Sequence, residues 1–169
     1  MVRRSAARPG TGTCSRSRID TFRSKAFGTV ARCLGSMTKV IRQTVYFDAP
    51  PPAVFEALMD SKKHAAFTGD AAKIERRVGG AFSVWGGYAT GKTLRLEKDR
   101  VVVQSWRTTD FARGDPDSKV TFRLSRRGDG TRMSFVQSHV PDRQVANLRQ
   151  GWIDFYWTPL KEFLKAPGR

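Results

Sequence analysis

The sequence predicts an α+β fold: a curved antiparallel sheet of about six to seven strands around a long C-terminal helix, with two short helices after the first strand. Three observations predict it. Residues 40–47 alternate, with Ile41, Val45 and Phe47 on one face and Arg42, Thr44 and Tyr46 on the other, the period of a half-buried strand. Between residues 72 and 140, further strand-like segments are joined mostly by tight turns, which makes neighbouring strands antiparallel. From Val145 onward apolar side chains repeat at helical spacing, and no other stretch is long enough to cover one face of the sheet.

The elements follow in order. Asp48 to Pro52 breaks the first strand, and prolines are tolerated at a helix start. Val54, Phe55, Leu58 and Met59 then give a short amphipathic helix, and Ser61 is placed to cap a second one containing His64 and Phe67. Residues 72–78 read as a strand, Gly79 and Gly80 as a turn, residues 81–85 as a strand, and Gly86 and Gly87 as another turn. Residues 89–97 and 100–108 form a hairpin around Lys98 and Asp99, and residues 111–118 a loop. Residues 119–126 and 131–140 are the last two strands, joined at Arg127-Gly128-Asp129-Gly130. The terminal stripe comprises Val145, Leu148, Trp152, Phe155, Tyr156, Leu160, Phe163 and Leu164, with a kink or break expected at Pro159.

Charge divides the chain. Residues 1–36 hold eight basic residues against Asp20 alone, nearly half of the net charge of +16. They also hold both cysteines, Cys14 and Cys33, which excludes disulfide stapling and thiolate metal sites for the rest. Two readings of this segment stand: an Arg- and Ser-rich transit peptide, or a disordered basic leader upstream of a true start at Met37. Residues 37–169 form the folded domain. The compartment is expected to be cytoplasmic, or organellar if the leader is a transit peptide. No apolar run is long enough to span a bilayer.

One string invites a nucleotide-binding reading. Residues 86–93 match G-x-x-x-x-G-K-[ST] through Gly86, Gly91, Lys92 and Thr93. That chemistry needs a helix after the loop, so that its first amides cradle phosphate. Here the following residues alternate as a strand, and the reading is set aside. His64 and His139 have no second ligand at metal spacing, so no metal site and no cofactor are expected. The basic pairs Arg76-Arg77 and Arg126-Arg127 fall at strand ends or turns without interleaved aromatics, which argues against nucleic acid. No catalytic residue set is assigned.

Aromatic residues are the better guide to function. A sheet curved around one helix leaves space between them, and apolar pockets are the default binding sites. The candidate cavity residues are Phe55, Phe82, Val84, Tyr88, Trp106, Phe122, Phe135, Trp152 and Tyr156. Trp106, Trp152 and Tyr156 each carry a polar handle, and Gly151 is expected to bring the helix close to the sheet.

These residues resemble a known family, the activator of heat-shock protein 90 ATPase homologues, within the START-like (SRPBCC) superfamily. The resemblance rests on Ala49-Pro50 followed by Val54-Phe55-Glu56-Ala57-Leu58, on Ala66-Phe67-Thr68, on Gly79-Gly80-Ala81-Phe82 and on Gly91 leading a strand. It continues through Val102-Val103-Gln104-Ser105-Trp106-Arg107, Gly130-Thr131 and Arg149-Gln150-Gly151-Trp152 with Tyr156, covering residues 39–164. It implies a helix-grip fold and no shared catalytic set. It also implies two partners to choose between: a hydrophobic small molecule held between sheet and helix, or a heat-shock protein 90-type chaperone. Residues 1–36 are too short to hold the separate N-terminal domain of the eukaryotic activator, so full ATPase activation is not implied. Some distant START-like members are cyclases or hydrolases, which keeps an enzyme as a third alternative.

Overall fold

Strand β1 (Thr38–Phe47) carries the expected alternation, and its buried residues Ile41, Val45 and Phe47 face the core. The structure is a computed structural model that describes residues 37–165. The expected leader of residues 1–36 lies outside the described residues. After β1 come helices α1 (Pro51–Met59) and α2 (Ser61–Thr68) and strands β2 (Lys73–Ile74), β3 (Ala81–Val84), β4 (Ala89–Glu97), β5 (Val101–Thr108), β6 (Ser118–Arg127) and β7 (Gly130–Pro141). Helices α3 (Val145–Trp152) and α4 (Thr158–Lys165) complete the order.

All seven strands belong to one antiparallel sheet in the order β1-β7-β6-β5-β4-β3-β2. Every neighbour but one is consecutive in the chain, as hairpin connections require. The exception pairs β1 with β7, setting Val45 opposite Met133 and Phe47 opposite Thr131. Gly130 makes that junction possible, since a Cβ there would stand 2.4 Å from the Phe47 carbonyl oxygen. The helices cover the inner face and bury Val54, Phe55, Met59 and Leu160 against Val120, Phe122, Met133 and Phe135. Strands alternating in this way around a terminal helix form a helix-grip fold.

Three local expectations change. Asp60, not Ser61, caps α2: its carboxylate accepts from the Lys63 N–H at 2.9 Å, because Asp60 is the last extended residue before the helix. The Ser61 hydroxyl instead accepts the Ile74 N–H at 2.9 Å, tying α2 to β2. The expected strand over residues 72–78 is only two residues long. The chain folds back after Glu75, and Gly80 packs where a Cβ would lie 2.5 Å from the Glu75 carbonyl oxygen.

The third change concerns the terminal helix. Pro159 does not break it. A π-helical turn (Ile153–Trp157) precedes the proline, and the Thr158 N–H bonds to the Ile153 carbonyl five residues back. Pro159 has no N–H to continue the α pattern, and the widened turn absorbs that loss. The extra residue rotates the stripe. Trp157 turns inward to 3% exposure, whereas Phe155, expected on the buried stripe, is 66% exposed.

Candidate functional site

Aromatic rings fill the middle of the grip. The Phe135 and Trp152 ring centres lie 4.5 Å apart, Trp152 stacks on Trp157 at 5.2 Å, and Phe122 meets Phe135 at 5.4 Å. Beneath them a buried polar chain is satisfied link by link. The Trp152 indole N–H donates to Gln137 Oε1 at 2.7 Å, Gln137 Nε2 donates to Ser118 Oγ at 2.9 Å, and that hydroxyl donates to the Trp106 carbonyl at 2.7 Å. At the sheet edge, the Trp157 N–H donates to Gln43 Oε1 at 2.6 Å, and Gln43 Nε2 donates to the Arg149 carbonyl at 3.0 Å. Phe122, Phe135 and Tyr156 are therefore core, and burial pushes the Tyr156 phenol well above its ordinary pKa.

Open space lies to one side of this layer. A pocket of about 480 Å³ runs between α3, the end of β5 and the turn that follows β3. Trp85, Trp106 and Trp152 wall it, and Leu148, Gly151 and Phe155 come from the helix side. Of the nine cavity candidates, Tyr88, Trp106 and Trp152 line it. Phe55, Phe82, Val84, Phe122, Phe135 and Tyr156 are buried elsewhere, with Phe82 packed against Trp106 at 5.2 Å. Gly79 and Gly80 turn the chain between β2 and β3 and do not line the pocket. Gly151 does line it, but not through close approach to the sheet: a Cβ there would meet only Phe155, at 4.0 Å.

Sequence reasoning missed Trp85, Thr108 and Asp70. Trp85, Gly86 and Gly87 have φ of 50°, 59° and 103°. Left-handed backbone at a bulky residue is costly and gathers at functional sites. The glycine pair signalled a turn, and the tryptophan before it was the part worth weighing. The Trp85 ring meets Tyr156 at 5.5 Å, Trp106 at 6.2 Å and Tyr88 at 6.4 Å, each close to edge-on.

The polar groups of the pocket are few. The Tyr88 hydroxyl donates to Asp110, and burial together with that carboxylate pushes the phenol up to about 12. Beside it, the buried Thr108 Oγ1 makes no hydrogen bond of good geometry among the described residues. Gln144 Nε2 donates to the Asp110 carbonyl at 3.1 Å, and Asn147 stands nearby on α3. No His, Cys, Ser, Lys or Arg lines the pocket; its hydroxyls are those of Tyr88 and Thr108 and its one carboxylate is that of Asp70. His64 sits in the core, 4.7 Å from the Phe67 ring, and burial lowers its pKa to about 4. Among the described residues, no group of three or more His, Cys, Asp or Glu gathers to hold a metal ion. The string over residues 86–93 turns at Trp85–Gly87 and continues as β4, with no helix to present amides to phosphate.

A family model described as "Activator of Hsp90 ATPase homolog 1-like protein" matches residues 48–165. The chain belongs to that family. Among curated relatives, an uncharacterized protein of Schizosaccharomyces pombe is 27% identical over 73% of this chain and 37% of its own length. The activator of 90 kDa heat shock protein ATPase homolog of Dictyostelium discoideum is 28% identical over 68% of this chain and 30% of its own. The chain thus spans about a third of the length of these relatives. A crystal structure of an HSP90 activator from Plasmodium falciparum superposes with a TM-score of 0.68 at 22% identity, covering 77% of this chain and 99% of that one. This likeness gives the activator-homologue family member its helix-grip, START-like fold. Among the described residues, no helix is long and apolar enough to cross a membrane.

Proposed function

We propose that this activator homologue is a non-catalytic START-like protein that binds an apolar small molecule in the pocket between the sheet and α3. The observation that carries the reading is the pocket itself: about 480 Å³ walled by Trp85, Trp106, Trp152, Leu148 and Phe155, in a molecule whose central layer is otherwise closely packed. A site of this size and lining suits a ligand with an aromatic or alicyclic body. The mainly aromatic and apolar walls, with no His, Cys, Ser, Lys or Arg among the lining residues, support binding without catalysis. The test is denaturing extraction and native mass spectrometry of the purified protein, with Gly151→Leu as a pocket-filling control. A co-purifying or added apolar molecule should bind the natural chain and be lost in the control. Equal retention by both would place the ligand elsewhere and end the reading.

A second reading, binding and modulation of a heat-shock protein 90-type ATPase, draws on the names of the Dictyostelium and Plasmodium relatives. The partial coverage of the curated relatives makes it a claim about a module. It predicts that the purified protein raises or lowers the chaperone's ATPase rate. No change at a large molar excess would remove it.

A further inference from the structure

We propose that the pocket takes an organic cation, an amine whose ammonium group lies between the Asp70 carboxylate and the ring faces of Trp85 and Trp106 while its apolar body rests on Leu148 and Trp152. This rests on the reading of the pocket as a small-molecule site and adds the charge of the occupant. Basic residues outnumber acidic ones 31 to 15 in this chain, yet no Lys or Arg lines the pocket and one carboxylate does. The choice of charge at this spot therefore runs against the composition of the molecule.

The Asp70 carboxylate is held at the pocket wall. Its Oδ1 accepts the Ala71 N–H at 2.6 Å, and the Gly86 N–H bonds to the Ala71 carbonyl at 3.1 Å, which fastens this segment to the Trp85–Gly87 turn. Gly86 leaves room for it, since a Cβ there would come within 3.4 Å of both carboxylate oxygens. Asp70 has no ion-pair partner among the described residues, unlike Glu56, Glu75 and Glu97, each of which is paired with an arginine.

The rings add to the same preference. Trp85 stands at 79° to Trp106 and 78° to Tyr88, so faces and edges meet around one corner of the space. Aromatic faces carry negative potential and attract ammonium groups. Asp110, which accepts the Tyr88 hydroxyl, places a second carboxylate behind that corner. An anionic ligand would meet these faces and the exposed Asp70 carboxylate with no cation in the lining to pair with, so like charges would face one another. The positive charge elsewhere on the protein acts through solvent and is screened beyond about 8 Å at physiological salt. Asp70 and the rings act in contact.

Three probes with one aromatic body separate the possibilities: 2-(aminomethyl)naphthalene as the cation, 2-naphthylmethanol as the neutral match and 2-naphthoate as the anion. They would be titrated calorimetrically into the full chain at about 0.15 M salt. The amine should bind at least about fivefold more tightly than the alcohol, and the anion should give no measurable binding. Asp70→Asn should bring the amine to the level of the alcohol and leave the alcohol unchanged. Asp154→Asn, at an exposed carboxylate that accepts from Gln150 and is not among the lining residues, should change neither. Equal binding of amine and alcohol, or naphthoate binding as tightly as the amine, overturns the cation proposal and leaves the pocket reading in place. Failure of all three to bind overturns both.

Discussion

The indole of Trp152 and the amide of Gln137 share a 2.7 Å hydrogen bond in a place where both side chains are buried. This bond joins the terminal helix to β7 and continues through Ser118 to the backbone of Trp106, at the pocket floor. A helix packed by rings alone could slide along the sheet. A directional bond at its midpoint fixes its position.

Gln137→Leu removes the acceptor for Trp152 and the donor to Ser118 while roughly keeping the volume. An unsatisfied buried polar group costs about 1–3 kcal/mol. The variant should lose about 2–4 kcal/mol in urea denaturation. A midpoint equal to that of the natural protein would show that the chain of bonds contributes nothing net.

His64 makes stability depend on pH. In the unfolded chain its imidazole takes up a proton near pH 6.5, but in the fold burial holds the pKa down at about 4. Above pH 6.5 neither state is protonated and this contribution is fully present. As pH falls from 6.5 to 4 only the unfolded state gains the proton, so stability falls, and it levels off below 4. The two-and-a-half-unit gap corresponds to a loss of about 3 kcal/mol. His64→Leu should lack that component, so the stability difference between variant and natural protein should shift by about this amount between pH 7 and 4. A pH-independent difference would contradict it.

Tyr88 works in the opposite direction of pH. Its phenol ionises near 10 when unfolded but only near 12 in the fold, with burial the first cause and the Asp110 carboxylate the second. The stability it contributes is complete below pH 10 and is lost as pH rises toward 12. Ultraviolet titration should show a phenol whose midpoint drops in Asp110→Asn. An unchanged set of midpoints would remove Asp110 as a cause.

Two glycines should respond oppositely to alanine. At Gly91 a Cβ would lie 2.0 Å from the Ser105 carbonyl oxygen, within the β4–β5 ladder, so Gly91→Ala should fail to fold or lose several kcal/mol, on the order of an overpacked core. At Gly151 the nearest atom is Phe155 Cδ2 at 4.0 Å. Gly151→Ala should therefore gain about 1 kcal/mol from helix propensity while narrowing the pocket. Paired melting curves decide both.

The sheet was legible because its strands alternate cleanly over lengths that leave little ambiguity. β1, β6 and β7 fall within two residues of their expected ends. The site was less legible because it depends on which aromatic residues fail to touch. Phe122, Phe135 and Tyr156 are chemically as suitable for a cavity as Trp106 and Trp152. Only the rotation of the helix decides which rings meet and which leave a gap. Trp85 and Asp70 were missed for a related reason. Their place in the pocket comes from the left-handed backbone of residues 85–87 and from the docking of Ala71 on Gly86, neither of which has a periodic trace.

The π turn before Pro159 has a consequence for how the helix tolerates change. The helix on its two sides is offset by one residue, about 100° of rotation. Deleting one residue from the turn would let a regular α-helix run through, with Pro159 then set in an α turn, and would leave Leu160 and Phe163 facing the sheet, whereas deleting one outside the turn would rotate them away from it. The turn thus acts as a length buffer: a residue removed within it should cost the grip less than a residue removed from α3 or α4 on either side.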